Sequence, residues 1–309
     1  NETLSTSVNT ITTLDLQSKN ITDLTGLSGF TGLQILRFHD NQVTAVDLSY
    51  NSLLTQIRCD DNQLTSLDVS QNTTLQDLRC GHNNISNIDV SQNTALEQLE
   101  CQHNQLTIID LSNNTALLTF NCNSNQFTSI DVSQNTILAT LYCGGNQLTT
   151  IDVSNNTIMT SLDCRDNQLT TLDLTTNSPL QWLRTTNNPL TGLDLSNQGI
   201  LRNLYCENCG LTSLDLTNVV DIRNIHCFNN QITSLDLSNN PLLKTIRGDS
   251  NSFTSLDFSN NPLMTLITVV NCNITNIDVS NSPMLDYFFC GENPITSLDV
   301  TNNPLLENF

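Results

Sequence analysis

Basic residues are scarce in this chain. Lysine and arginine number 10 against 30 aspartates and glutamates, for a net charge of −20. Only two are lysines, Lys19 and Lys244. Nucleic acid needs concentrated Lys and Arg to meet its phosphates, so it is excluded as a partner. Long apolar runs are also missing. The stickiest stretch, Leu266 to Val270, is broken by Thr268, and a membrane helix needs about 18 consecutive apolar residues. No membrane insertion is therefore expected. No Gly-rich stretch, linker or composition break divides the 309 residues. No catalytic set is legible either: there is no Ser-His-Asp order at a nucleophile turn, no Cys-His pair with an exposed thiol and no phosphate loop. Neither an enzyme nor a cofactor is expected. The opening NETLSTSVNT has no initiator Met and no signal pattern. Leu306 to Phe309 begin a repeat without completing it. The chain thus reads as part of a longer one.

What the chain does contain is one stretch repeated. Residues 96–116, LEQLECQHNQLTIIDLSNNTA, return with variations every 21 residues, as in Leu75 to Asn93, Leu138 to Asn156 and Leu243 to Asn261. A period of this length marks a solenoid, and a solenoid grows along one axis without needing a second core. Counted from the first leucine, position one is Leu96, four Leu99, six Cys101, nine Asn104 and eleven Leu106. Fourteen such repeats start at Ile11, Leu33 and then every 21 residues to Leu285. Nine of the 11 cysteines occupy position six: Cys59, Cys80, Cys101, Cys122, Cys143, Cys164, Cys206, Cys227 and Cys290. Cys209 and Cys272 stand where most repeats have the ninth-position Asn. Neighbours in a strand column lie roughly 4.8 Å apart and point the same way, whereas a disulfide wants Cβ atoms about 3.8 Å apart. The column is expected to be free, buried thiols acting as small hydrophobes.

The pattern L-x-x-L-x-[L/C]-x-x-N-x-L resembles the leucine-rich repeats of bacterial proteins. The 22-residue opening, Ile11 to Gly32, with its ITDLTGLSGFTGL, is similar to an internalin start, and the later TSLDVSxNTxLxxLxC repeats resemble secreted or surface proteins of the Bacteroidetes. The resemblance covers nearly the whole chain. It implies a mainly β, curved solenoid with a parallel sheet on its concave face. Residues 1–32 read as an N-terminal capping segment with the first internalin-like repeat, and residues 33–309 as a single domain of regular repeats.

The second half of each coil reads T-S-L-D-V-S. Positions fourteen and sixteen are apolar, and position fifteen is Asp in thirteen repeats, from Asp47 through Asp68 and Asp173 to Asp299. Period-two alternation predicts a short extended segment with Asp outward. Like charges at strand spacing repel. Hydrogen bonds from the following turn N–H groups or the Ser at position seventeen are the plain remedy. A calcium row is the rarer one, since calcium wants six to eight oxygens. The Thr column at position twelve, Thr107 among others, reads as β-friendly edge rather than an ice-binding face.

Positions two, three, five, seven and eight are where the repeat varies. All eight arginines and all four histidines fall there. One patch gathers Trp182, Arg184, Arg202, Tyr205, Arg223, His226, Phe228, Lys244 and Arg247, opposed only by Glu207 and Asp249. Trp, Tyr and Arg are the types that dominate binding hot spots. The repeat also lapses here: Thr185 and Gly248 replace the Cys, and Gln198 and Val219 replace the turn Asn. A second patch, Arg37, Arg58 and Arg79, lies beside Asp40, Asp60, Asp61 and Asp77, so mutual pairing is expected. Asp61, His82 and His103 share column eight and form a weak zinc candidate. Unliganded surface histidines are the commoner arrangement.

These readings converge on a secreted or cell-surface recognition or adhesion module. Its concave face would bind a protein ligand, and the chain is expected to be a monomer. The alternative is binding of an acidic or sulfated polysaccharide, with Trp182 and Tyr205 stacking on sugar rings and the cations pairing with anionic groups.

Overall fold

The computed structural model describes residues 8 to 308; the first seven residues of the expected capping segment, and Phe309, lie outside them. The chain forms two compact units, the first ending at Asn156 and the second starting at Thr157. Among its described residues the first unit contains two 3₁₀ turns, Val8–Thr10 and Leu27–Gly29, and seven strands of three residues. These are β1 (Thr13–Asp15), β2 (Ile35–Arg37), β3 (Gln56–Arg58), β4 (Asp77–Arg79), β5 (Gln98–Glu100), β6 (Thr119–Asn121) and β7 (Thr140–Tyr142). The second unit contains β8 (Ser161–Asp163), β9 (Trp182–Arg184), β10 (Asn203–Tyr205), β11 (Asn224–His226), β12 (Thr245–Arg247), β13 (Ser255–Asp257), β14 (Leu266–Thr268), β15 (Asn276–Asp278) and β16 (Tyr287–Phe289). Among the described residues there is no α-helix, and none is long and apolar enough to cross a membrane.

Within each unit the strands of the first halves of successive coils pair in parallel, one per coil, as in Leu78↔Leu99 and Leu204↔Ile225. The mainly β solenoid expected from the repeat is what forms. Alternation explains the strands: the middle residue, such as Leu99 or Ile225, is fully buried, and its neighbours stand on the strand face. Leu96, Leu99, Cys101, Leu106 and Leu111 together fill the interior of one coil.

Two asparagine columns tie each coil to the preceding one. At position nine, Asn104 Nδ2 donates to the carbonyls of Cys80 (3.0 Å) and Cys101 (3.1 Å), while its Oδ1 accepts the Ile85 N–H at 2.9 Å. At position nineteen, Asn114 Nδ2 donates to Val90 O (3.0 Å) and Asn93 O (2.9 Å). The second column, readable from sequence only as turn chemistry, is the deeper of the two: Asn114 is 0% exposed and Asn104 9%. Buried backbone groups demand partners, and these amides supply them.

The second half of the coil departs from expectation. Its alternation is present, with Leu67 and Val69 buried around exposed Asp68, but a β-ladder forms there only between β13 and β15. The Asp carboxylates are occupied locally, as the sequence reading expected. In all thirteen coils the backbone N–H two residues on donates to the Asp Oδ1, at 2.8 to 3.0 Å. The carboxyls of Asp89 and Asp110, for instance, are held below the usual range by this N–H and by the Ser hydroxyl beside it.

All eleven cysteines are free, and ten are buried. Cys290, expected in the dry column, is instead partly exposed, because the coil above it is only begun by Leu306 to Asn308. Burial pushes the thiols of Cys101 and Cys227 up to about 12.

Candidate functional site

Four coils of the second unit, those of β9 to β12, carry the patch singled out in the sequence, and the β8 coil borders it. Parallel register sets Asp163, Arg184, Tyr205, His226 and Arg247 in one row across the strand face. Trp182 stands in a second row, between Ser161 and Asn203, that continues to Asn224. The large side chains of these rows touch one another. The Trp182 and Tyr205 ring centroids are 5.6 Å apart, tilted by 48°. Tyr205 meets His226 edge-on at 4.7 Å. The Arg184 guanidinium carbon lies 5.8 Å from the Tyr205 ring centre, within cation–π range. All four are half-buried. They are therefore held by contacts and still reachable.

Beneath them lies a buried carboxylate. Glu207 is 4% exposed. It accepts a hydrogen bond from the Thr186 hydroxyl, and His226 Nδ1 stands 3.4 Å from its Oε1. Burial works to raise the Glu207 carboxyl, but the hydrogen bonds from His226 and Thr186 outweigh it and hold it below the usual range. The arrangement fixes the His226 ring against Tyr205. Asp163, also 4% exposed, sits 3.6 Å from Arg165 Nε, and burial pushes its carboxyl up despite the flanking Arg165 and Arg184. Sequence reading missed Thr186 and Asp163. Both stand one coil from a residue it named, and adjacency at 21 residues was the available signal.

The remaining predicted residues are placed differently. Arg202, Arg223 and Lys244 precede their strands, Arg202 half-buried and the other two exposed. Arg247 is exposed and Phe228 half-buried. No ring contact joins Phe228 to the Trp182–Tyr205–His226 chain.

The lapses in the repeat have internal causes and do not themselves mark a site. A Cβ on Gly248 would meet the Phe253 ring at 3.0 Å, so the larger residue at position eleven has taken the space of the usual Cys. Gln198 Nε2 donates to Leu174 O at 2.9 Å, repeating the asparagine bond. Val219 fills its slot as a fully buried apolar side chain.

The arginine row of the first unit largely neutralises itself, though not with the acids expected. Arg79 pairs with Asp77 (3.0 Å) and Glu100 (3.5 Å), and Arg37 with Asp15 (3.8 Å). Of the four expected acids only Asp77 takes part. Asp60 turns to accept the Gly81 N–H at 3.1 Å, and Asp40 the Ser18 hydroxyl at 3.3 Å. Arg58 has no carboxylate within ion-pair distance among the described residues.

Column eight also changes meaning. His82 and His103 stack face to face with centroids 4.2 Å apart, and Asp61 lies 4.0 Å from His82 Nδ1. Every coil is left-handed here, from Asp40 (φ 55) through His82 (φ 52) to Glu292 (φ 56). The small and polar residues of this column answer a backbone demand.

No family model and no curated protein sequence matches the chain. Solved structures do. The functional domain of InlJ from Listeria monocytogenes is 36% identical, with a TM-score of 0.95 over 97% of this chain and 67% of that one. This protein belongs to the internalin-like family of bacterial leucine-rich repeat proteins. Two more distant structures show the same fold. One is a leucine-rich repeat protein of Leptospira interrogans, 19% identical, with a TM-score of 0.72 over 94% of this chain and 81% of that one. The other is an internalin, inlF, of Listeria monocytogenes, 20% identical, with a TM-score of 0.66 over 97% and 87%. The InlJ domain is described as including a cysteine ladder. The position-six thiols of this internalin-like protein build a column from the same residue type.

Proposed function

We propose that this internalin-like protein is a non-enzymatic recognition module, secreted or held at the cell surface, that binds a protein ligand through the strand face of β9 to β12. One observation carries the reading. Trp182, Arg184, Tyr205 and His226 form a continuous contact chain that is half-buried, braced from below by Glu207 and Thr186. Anchors held in place before binding lose little side-chain freedom on binding, which is how hot spots gain affinity. The relatives support recognition as the class of activity. The alternative, an acidic or sulfated polysaccharide, is favoured only by the cations around the rings.

The two separate in one set of measurements. Immobilised protein is exposed to extracts of host or neighbouring cells, and captured protein is then titrated against wild type and the Trp182→Ala/Tyr205→Ala variant. A loss of affinity of about 10- to 100-fold is expected, the size of a truncated aromatic hot spot. Unchanged binding by the variant sinks the assignment to this face. Retardation in gels containing heparin, with no protein captured, favours the glycan.

A further inference from the structure

Resting on the reading that this strand face binds a protein, we propose that the partner offers it a short acidic stretch of polypeptide. Residues 157–309 contain six Lys and Arg, and among the described residues only Arg165 has a carboxylate within ion-pair distance. The other five lie on four adjacent coils around the aromatic chain. The Nε atoms of Arg184 and Arg202 find no acceptor within the protein. Acids near them are already engaged. Glu207 is held by Thr186 and His226. Asp249 accepts the Thr268 hydroxyl at 2.7 Å and the Val270 N–H at 2.8 Å. Asp163, beside Arg184, is paired with Arg165. A chain with a surplus of 20 negative charges thus keeps five cations on four adjacent coils without an ion-pair partner among the described residues.

Charge complementarity calls for an anion, and two observations choose its form. First, charge is screened over about 8 Å at physiological salt, so the patch acts on what lies directly over it. A long polyanion would run past it, over Asp163 and Asp166 on one side and coils without Lys or Arg on the other, whereas a short acidic stretch ends within it. Second, sugar rings in sequence need exposed, roughly coplanar aromatic faces. Here Trp182 and Tyr205 are tilted by 48°, Arg184 lies over Tyr205, and His226 stands edge-on to it. Such rings serve as lateral anchors beside a charged chain and offer no platform.

The probes are two short fluorescein-labelled peptides, one alternating Glu with Gly around a central Tyr, the other with Gln for Glu. Their binding is followed by fluorescence anisotropy. The variant is Arg223→Glu/Lys244→Glu/Arg247→Glu, whose three positions are exposed, with the urea midpoint as a check on folding. The Glu peptide is expected to bind, to weaken at least about tenfold in the variant, and to weaken as salt shortens the screening length. The Gln peptide is expected not to bind. The proposal is overturned if the Glu peptide does not bind, if both peptides bind alike, or if wild type and variant do not differ. It is also overturned if a heparin-derived oligosaccharide binds in the Glu peptide's place. The captured protein supplies the control. If Trp182→Ala/Tyr205→Ala releases it and the charge-reversed protein does not, the acidic partner is wrong while the binding face stands. If neither variant releases it, the face itself is wrong.

Discussion

At the scale of single residues, position nine shows how the coil tolerates change. Three coils lack its asparagine and carry Lys19, Cys209 or Cys272 instead. In each, the next residue turns left-handed: Asn20 (φ 56), Gly210 (φ 72) and Asn273 (φ 68). That turn aims two N–H groups at the asparagine of the following coil. Asn230 Oδ1 accepts from Cys209 (3.1 Å) and Leu211 (3.0 Å), and Asn293 Oδ1 accepts from Cys272 (3.0 Å) and Ile274 (2.9 Å). Cys209 Sγ meanwhile donates to Thr185 O at 3.2 Å, a weaker copy of the missing amide bond. Nothing stands within 4 Å of a Cβ placed on Gly210, so substitution there meets only the backbone cost. Gly210→Ala is expected to lower stability by about 1 kcal/mol, and Gly210→Asn by less, because asparagine tolerates this conformation. Urea denaturation of the two variants checks the order. The sequence showed that position nine had changed at these coils. That position ten had changed with it is equally visible in the letters, but its meaning needs a backbone angle.

At the scale of the coil, leucine spacing made the strand half legible, because positions one and four are apolar in every repeat and position six in all but those of Thr185 and Gly248. The other half was less so. Asp at position fifteen reads as held by the turn N–H groups that follow it, and that is the bond each carboxylate makes; what the letters do not show is that the extended segments around it mostly stop short of a ladder. His82 and His103 resembled a ligand column, although the left-handed backbone alone favours such residues. The residues from Trp182 to Arg247 were legible as composition on one face, with Glu207 among them as an opposing acid, while Thr186 and Asp163 needed burial to be seen. Between coils, side-chain amides carry the load that helices carry in bulkier repeats. Asn114→Ala leaves the Val90 and Asn93 carbonyls without their amide donor, an expected loss of about 2 kcal/mol. Asn104→Ala is expected to cost more, about 3 kcal/mol, because it also releases the Ile85 N–H. Hydrogen exchange should localise the damage to the altered coil and its neighbours, since each coil rests only on those.

For the molecule as a whole, pH is the sharpest probe. Eleven carboxyls of the Asp column are held below their ordinary value by turn hydrogen bonds. A depressed carboxyl stabilises the folded state above its unfolded value, and that contribution is lost as pH falls through the folded one. Asp60 and Asp163, raised by burial, act in the opposite sense, but they are two against eleven. The melting temperature is therefore expected to hold near neutral pH and to fall steadily below about pH 4, where ordinary carboxylates protonate. A melting temperature that rises on acidification would show that relief of the −20 net charge outweighs the turns. The asparagine amides also give the array a direction. Asn62, Asn72, Asn104 and Asn114 all donate to carbonyls of the coil before their own. A coil removed from the C-terminal side takes its clasps with it, whereas one removed from the N-terminal side leaves its successor's amides empty-handed. A chain delivered N-terminus first therefore meets, coil by coil, acceptors that are already in place, and it can lengthen like a zip drawn in one direction.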